Sequence, residues 1–183
     1  MLEHIICSSI FSHLDRHNVL CTNQHGFRSR HSCETQLLGA INDFQVCLND
    51  GKHIDALFLD FSKAFDKVSH SKLCHKLSHY RINGRILHWM TDFLSDRLQS
   101  FVLEGKISRP HSVLSGVPQG TMLAPLLFLL YINDITKPIK STIKLYVDDI
   151  LMYRIIDSEN DQHHDCLILQ NNPNSLENWS NLW

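Results

Sequence analysis

Apolar residues recur along the start of the chain at Leu2, Ile5, Ile6, Ile10 and Leu14. That spacing is close to the helical repeat and predicts an amphipathic helix over Met1–Asn18, ending at the turn-prone Asn18. A polar loop, GFRSRHS from Gly26 to Ser32, separates it from a second helical pattern over Thr35–Asn49, carried by Leu38, Ile41, Phe44, Val46 and Leu48. Asn49-Asp50-Gly51 is a strong stop. The pattern then changes: Ile54–Phe61 is a short apolar run with one acid, Asp60, which predicts a buried strand delivering a carboxylate at its C-terminal end.

Two helices are expected next, over Ser71–Tyr80 and then, longer, from Asn83 as N-cap through Leu87, Met90, Phe93 and Leu94. Gln99–Leu103 and Ile107–Val113 flank Glu104-Gly105-Lys106 and predict a hairpin. A Gly/Pro-punctuated turn, SGVPQG, opens a helix over Leu123–Ile132 that accepts Pro125 in its first turn. Apolar on every side, this helix must be buried. Ile143–Val147 and Ile150–Tyr153 read as strands with Asp148-Asp149 at or near the tight turn between them. Asp157–Trp183 is polar and then weakly helical, with Leu176, Trp179 and Trp183 on one face and Pro173 interrupting it. The pattern contains no repeat, no low-complexity tract and no linker that would split the chain into independent domains.

Composition adds bounds. The 183 residues are 43% hydrophobic and 20% charged, enough for a real core. Lys and Arg number 17 against 19 acids, so no basic stripe announces a nucleic-acid grip. The N-terminus does not read as a secretory signal, and the longest apolar run, Ala124–Ile132, is far below the roughly 18 residues of a membrane span. A soluble intracellular chain without a membrane partner is expected, nucleus or cytoplasm being left open. The six cysteines contain no CxxC pair, which predicts reduced, mostly buried thiols rather than a zinc site or disulfide framework.

Three acids carry the candidate chemistry, because Asp60, Asp148 and Asp149 each sit where a strand ends. Crowded carboxylates repel, and an all-oxygen cluster suits Mg²⁺. Two such ions about 3.5–4 Å apart activate an attacking hydroxyl and stabilise a leaving pyrophosphate. The plain alternative is that Asp-Asp is simply what a turn favours. His75 and His79 stand four apart, a metal-ligand spacing, but without the Glu of HExxH they read better as a solvated helix face. Trp179 and Trp183 fit a core stripe better than a base-stacking platform. Arg28 and Arg30 fit a template phosphate contact and a solvated loop equally well.

Three segments in order decide among these readings: LFLDFSKAFDKV (Leu57–Val68), SGVPQGTMLAPLLFLLYIND (Ser115–Asp134) and KLYVDDILMYR (Lys144–Arg154). In sequence and spacing they resemble the palm motifs of reverse transcriptases from non-LTR, LINE-type retrotransposons. QHGFRSRHSCETQL (Gln24–Leu37) resembles the stretch joining fingers to palm in that family, so the likeness runs from about Leu2 through Trp183. It implies an RNA-directed DNA polymerase using Mg²⁺, with Mn²⁺ as substitute, on an RNA template, a DNA primer and dNTPs. Position by position it implies Asp60 and Asp148 as metal ligands, with the Phe61 carbonyl helping, and Asp149 as electrostatic support. It makes Phe65 the ring under the incoming sugar, where a 2′-hydroxyl would collide. Gln119 and Gly120 would touch the nucleotide, Gly116 and Gly120 letting the backbone approach, and Tyr146 would lie near the primer end. Val147 departs from the family's usual alanine.

The resemblance also implies an α+β fold, an antiparallel palm sheet backed by helices with a partial helical fingers segment, and sets expected divisions: residues 1–53 as partial fingers and connecting helices, 54–156 as palm, and 157–183 as a truncated segment leading toward the thumb. The family's basic fingers sequence has no match before the first helix, and its lysine-bearing segment and thumb none after Trp183. An inactive retrotransposon remnant acting at most as an interaction fragment is one alternative. The other, a metal-dependent nuclease, leaves Phe65 and the SGVPQG turn without a role. Oligomeric state is not legible.

Overall fold

The computed structural model describes residues 2–156 and 159–183, so Met1, the expected start of the first helix, and Asp157, the expected start of the last segment, lie outside it. In chain order the elements are α1 (Leu2–Arg16), α2 (Cys33–Asn49), β1 (His53–Leu59), α3 (His70–His79), α4 (Arg85–Leu94), β2 (Leu98–Gln99), β3 (Val102–Leu103), β4 (Lys106–Ile107), β5 (His111–Ser112), α5 (Leu123–Ile132), β6 (Thr142–Tyr146), β7 (Asp149–Ile156) and α6 (Glu159–Leu182). This is the expected mixture of helices and antiparallel sheets. The chain divides into two compact units, Met1–Val19 with Lys63–Tyr131, and Leu20–Ser62 with Ile132–Trp183.

The second unit is built on a three-stranded antiparallel sheet in the order β1-β7-β6. β7 is the middle strand, and its Ile150–Tyr153 stretch is buried continuously. One face packs Leu57, Leu59, Ile143, Leu145, Ile150 and Met152 against Leu169 and Leu176 of α6. On the other, Ile54, Leu151 and Tyr153 meet Ala40 and Phe44 of α2, and the Tyr153 hydroxyl donates to Asp43. α2 starts at Cys33, two residues before the periodicity predicts. Ser32 caps it in a reciprocal box with Thr35, satisfying two helix-end groups at once.

Pro173 does not interrupt the last helix; it lies inside α6. Proline removes one intrahelical bond and crowds the preceding turn, but anchors on both sides hold this helix. Leu169 and Leu176 are buried, Asn172 donates to Ser141 Oγ at 2.5 Å, and Trp179 Nε1 donates to Asp134 at 3.0 Å.

In the first unit α3 packs on α4, and every residue of α5 except the half-buried Pro125 is buried, as its apolar composition requires. The second expected helix starts later than expected: Gly84, at φ 64°, is the N-cap, and the Asn83 side-chain Oδ1 instead accepts from Ser78 Oγ. α3 and α4 are both 10 residues long. The predicted hairpin forms as two short rungs, β2 on β5 and β3 on β4. Of the six cysteines, all free, only Cys7 and Cys47 are buried, and Cys33 is exposed. The expectation of mostly buried thiols therefore fails: the residues around Cys33 open α2 on its solvent side. Among the described residues no helix is long and apolar enough to cross a membrane.

Candidate active site

Strand register in the second unit brings the acids to one end of the sheet. Leu59, the last residue of β1, pairs with Ile150, and Tyr146, the last of β6, pairs with Asp149. Asp60 therefore leaves β1 beside the β6–β7 turn. That turn consists of Val147 and Asp148, and Asp149 opens β7, so both acids lie at or next to the turn as expected while β6 ends, and β7 begins, one residue before its expected limit. Asp60 and Asp149 are exposed, while Asp148, Phe61 and Tyr146 are half-buried. Phe61 lies against Trp179, ring centroids 6.3 Å apart.

Burial pushes the Asp148 carboxyl above its ordinary value, the charges of Asp60 and Asp149 push it the same way, and a backbone hydrogen bond opposes them. Asp148 thus senses both other acids, and the fold places like charges together. Among the described residues no three His, Cys, Asp or Glu side chains form a ready-made metal cluster. The donor set still fits Mg²⁺, which is commonly held by one or two carboxylates with substrate phosphates completing the shell.

A pH effect follows from the raised carboxyl. The folded chain holds the Asp148 proton more tightly than the unfolded chain, so without metal this group's contribution to stability falls as pH rises from the ordinary carboxylate value through the raised one. Asp148→Asn, neutral throughout, is expected to melt a few degrees above the wild type at neutral pH in chelator, with the gap closing near pH 3. Added Mg²⁺ should raise the wild-type Tm and leave the variant's unchanged. Calorimetry across pH reads both.

A residue that sequence reasoning passed over touches the same turn. Gln24 is 5% exposed; its Nε2 donates to the Val147 carbonyl at 3.0 Å, and its Oε1 accepts from the Val147 N–H at 2.9 Å and the Gly26 N–H at 2.7 Å. The sequence signal was only its place at the start of the family-like stretch Gln24–Leu37, which does not point to a partner so distant in the chain. Arg28, half-buried, donates to the Cys21 carbonyl at 2.9 Å. Arg30 is exposed, at φ 62°.

Phe65, Gln119 and Gly120 belong to the first unit. The SGVPQG turn is laced to the Phe65–Val68 segment: Ser115 Oγ donates to the Asp66 carbonyl at 2.8 Å, the Gly116 N–H to Val68 at 2.8 Å and the Val117 N–H to Phe65 at 3.0 Å. Gly116 has φ 84°, and a Cβ there would come within 2.9 Å of the Asp66 backbone, so the crossing needs glycine. Gln119 Nε2 donates to Asp66 Oδ1 at 2.8 Å. The half-buried Phe65 ring stacks on Phe128, centroids 4.2 Å apart. An open cleft of about 1060 Å³ runs beside this turn, lined by Lys63, Asp66, Arg97, Phe101 and Gln119. Arg97 braces it by donating to the Gly116 carbonyl at 2.6 Å.

Comparison with known proteins is consistent across the chain. The family model described as reverse transcriptase (RNA-dependent DNA polymerase) matches residues 3–182. A probable RNA-directed DNA polymerase from transposon X-element of Drosophila melanogaster is 29% identical over 82% of this chain and 17% of its own length. A second, from transposon BS of the same fly, is 27% identical over 99% of this chain and 20% of its own. A retrovirus-related Pol polyprotein from the type-1 retrotransposable element R2 of Popillia japonica is 34% identical over 50% of this chain and 13% of its own. The chain spans at most about a fifth of the length of these relatives.

Proposed function

This chain belongs to the reverse transcriptase (RNA-dependent DNA polymerase) family, and from that premise we propose that it forms the catalytic core of an RNA-directed DNA polymerase of non-LTR retrotransposon type. Its substrates are an RNA template, a DNA primer and dNTPs. In this reading residues 54–156 are the palm, 1–53 the connection to the fingers and 157–183 the segment toward the thumb.

The observation that supports it most is the convergence of Asp60, Asp148 and Asp149 at one end of an antiparallel sheet, from segments far apart in sequence. Asp60 and Asp148, with the Phe61 carbonyl, would hold Mg²⁺ or Mn²⁺. When bound, the divalent ions supply the activated primer 3′-hydroxyl and the charge neutralisation at the pyrophosphate. Asp149 keeps that end of the sheet negative and so favours the loaded state. Tyr146 orients the primer end, and Arg28 and Arg30 offer cations to template phosphates. Phe65 supports the sugar of the incoming nucleotide and excludes a 2′-hydroxyl, while Gln119 and Gly120 present side chain and open backbone to it.

Primer extension on an RNA template, with dNTPs and Mg²⁺ or Mn²⁺, tests the assignment. Extension that stops with chelator supports it. Shortening of the primer would replace it with a nuclease, and no product from a sample shown to be folded would overturn it for this chain.

A further inference from the structure

We propose that Gln24 is a positioning residue for the carboxylate turn, clamping both polar atoms of Val147 and thereby setting the direction in which Asp148 presents its carboxylate. The proposal rests on the polymerase reading for its purpose, but not for its geometry.

Val147 is the weak point of the β6–β7 hairpin. It sits at φ 57°, in the left-handed region that a two-residue hairpin turn demands and that suits Asn or Gly. A β-branched residue is strongly disfavoured there, so some neighbour must hold it. Gln24 does this with one amide: Nε2–H to the Val147 carbonyl and Oε1 from the Val147 N–H. Asp148 is the next residue, so a rotation of the Val147 backbone swings its side chain directly.

The loop carrying Gln24 is itself fixed. The Leu145 N–H donates to the Asn23 carbonyl at 2.9 Å and the His25 N–H to the Leu145 carbonyl at 2.8 Å, forming a parallel bridge on the free edge of β6. Asn23 Nδ2 adds a bond to the Ile143 carbonyl at 2.8 Å. Gly26 allows the loop to seat on the turn, since a Cβ there would lie 2.5 Å from both Val147 N and Val147 Cγ2. The side chain at 24 must donate and accept at once, which an amide does and a carboxylate does not. Glutamate would in addition bring a fourth negative charge to the acids.

Two measurements on the purified chain test this. Amide hydrogen exchange reads the clamp itself, and Mn²⁺ binding followed by electron paramagnetic resonance reads its consequence without turnover. Gln24→Met, similar in length but unable to bond, is expected to speed exchange at Val147 about tenfold or more while Met152, inside β7, keeps its protection. Mn²⁺ affinity should fall about 10- to 100-fold, the usual loss when an outer-shell partner is removed. Adding Val147→Gly to Gln24→Met should restore most of the affinity, because glycine accepts the left-handed conformation unaided; a purely structural role for Gln24 would not be rescued at Val147. If Gln24→Met fails to fold, Gly26→Ala keeps the amide, drives a methyl into Val147, and should produce the same losses. Unchanged exchange at Val147, or losses that Val147→Gly does not relieve, would overturn the proposal. If the wild type shows no Mn²⁺ binding that Asp148→Asn removes, the polymerase reading falls, and the exchange result alone decides the clamp.

Discussion

Asp60→Asn and Asp148→Asn are each expected to slow primer extension roughly a thousandfold, and Asp149→Asn only about 10- to 100-fold. A carboxylate that ligates a catalytic metal supports several kcal/mol of transition-state charge stabilisation, and losing about 4 kcal/mol is roughly a factor of a thousand. Asp149 acts through the field it adds, and outer-shell changes cost less. The three variants are unusually clean, because each removes a like charge from a cluster in which Asp148 already feels both neighbours. Their metal-free melting temperatures should equal or exceed the wild type's, so a lost rate cannot be assigned to unfolding. Single-turnover extension with saturating Mg²⁺ supplies the comparison. An Asp149→Asn loss as large as the other two would mean that the ligand roles have been divided wrongly between the adjacent acids.

That separation rests on features of very different legibility. α5 coincides with its predicted limits because a wholly apolar stretch opened by a Gly/Pro turn leaves few alternatives. The acids at the sheet end were legible from strand alternation and turn chemistry, and their grouping from the likeness to a family. α6 was misread because local propensity at Pro173 argues for a break, whereas the helix is held by partners that only tertiary structure brings together: Ser141 on Asn172 and Asp134 on Trp179. Gln24 was invisible for the same reason. The likeness at Gln24–Leu37 gave it no role, and a polar side chain there does not announce burial, yet it is buried because the Val147 backbone satisfies it.

The cysteines repeat the lesson at smaller scale. An apolar-leaning residue type suggested burial in general, but Cys33 occupies the first turn of α2, where the cap at Ser32 rather than the core fixes the helix start. Patterning reports which face of an element is apolar; it does not report which polar group at an element's end will find a distant partner. The proposed catalytic acids lie at such ends, Asp60 after β1 and Asp148 before β7. The positions most useful for chemistry are therefore those where the chain's own pattern carries least information.

Phe65→Ala is expected to shift the preference for dNTPs over rNTPs by roughly 10- to 200-fold toward ribonucleotides, the range in which shape alone discriminates. The Phe65 ring is half-buried and stacked on Phe128, interplanar angle 14°, a packing that holds it in place as a wall. A fixed wall rejects a larger sugar by steric conflict, a repulsive form of specificity that disappears once the ring is removed. Phe65→Tyr keeps the ring and should keep the preference, which separates the wall from general packing. Phe65→Ala also loses the stacked pair, worth about 0.5–1.5 kcal/mol beyond its buried area, so its Tm should drop while Phe65→Tyr stays near the wild type. Steady-state extension with single dNTPs and rNTPs gives the ratio of kcat/KM values directly. If Phe65→Ala loses dNTP and rNTP incorporation in equal proportion, the ring serves only to pack against Phe128, and sugar selection lies elsewhere in the site.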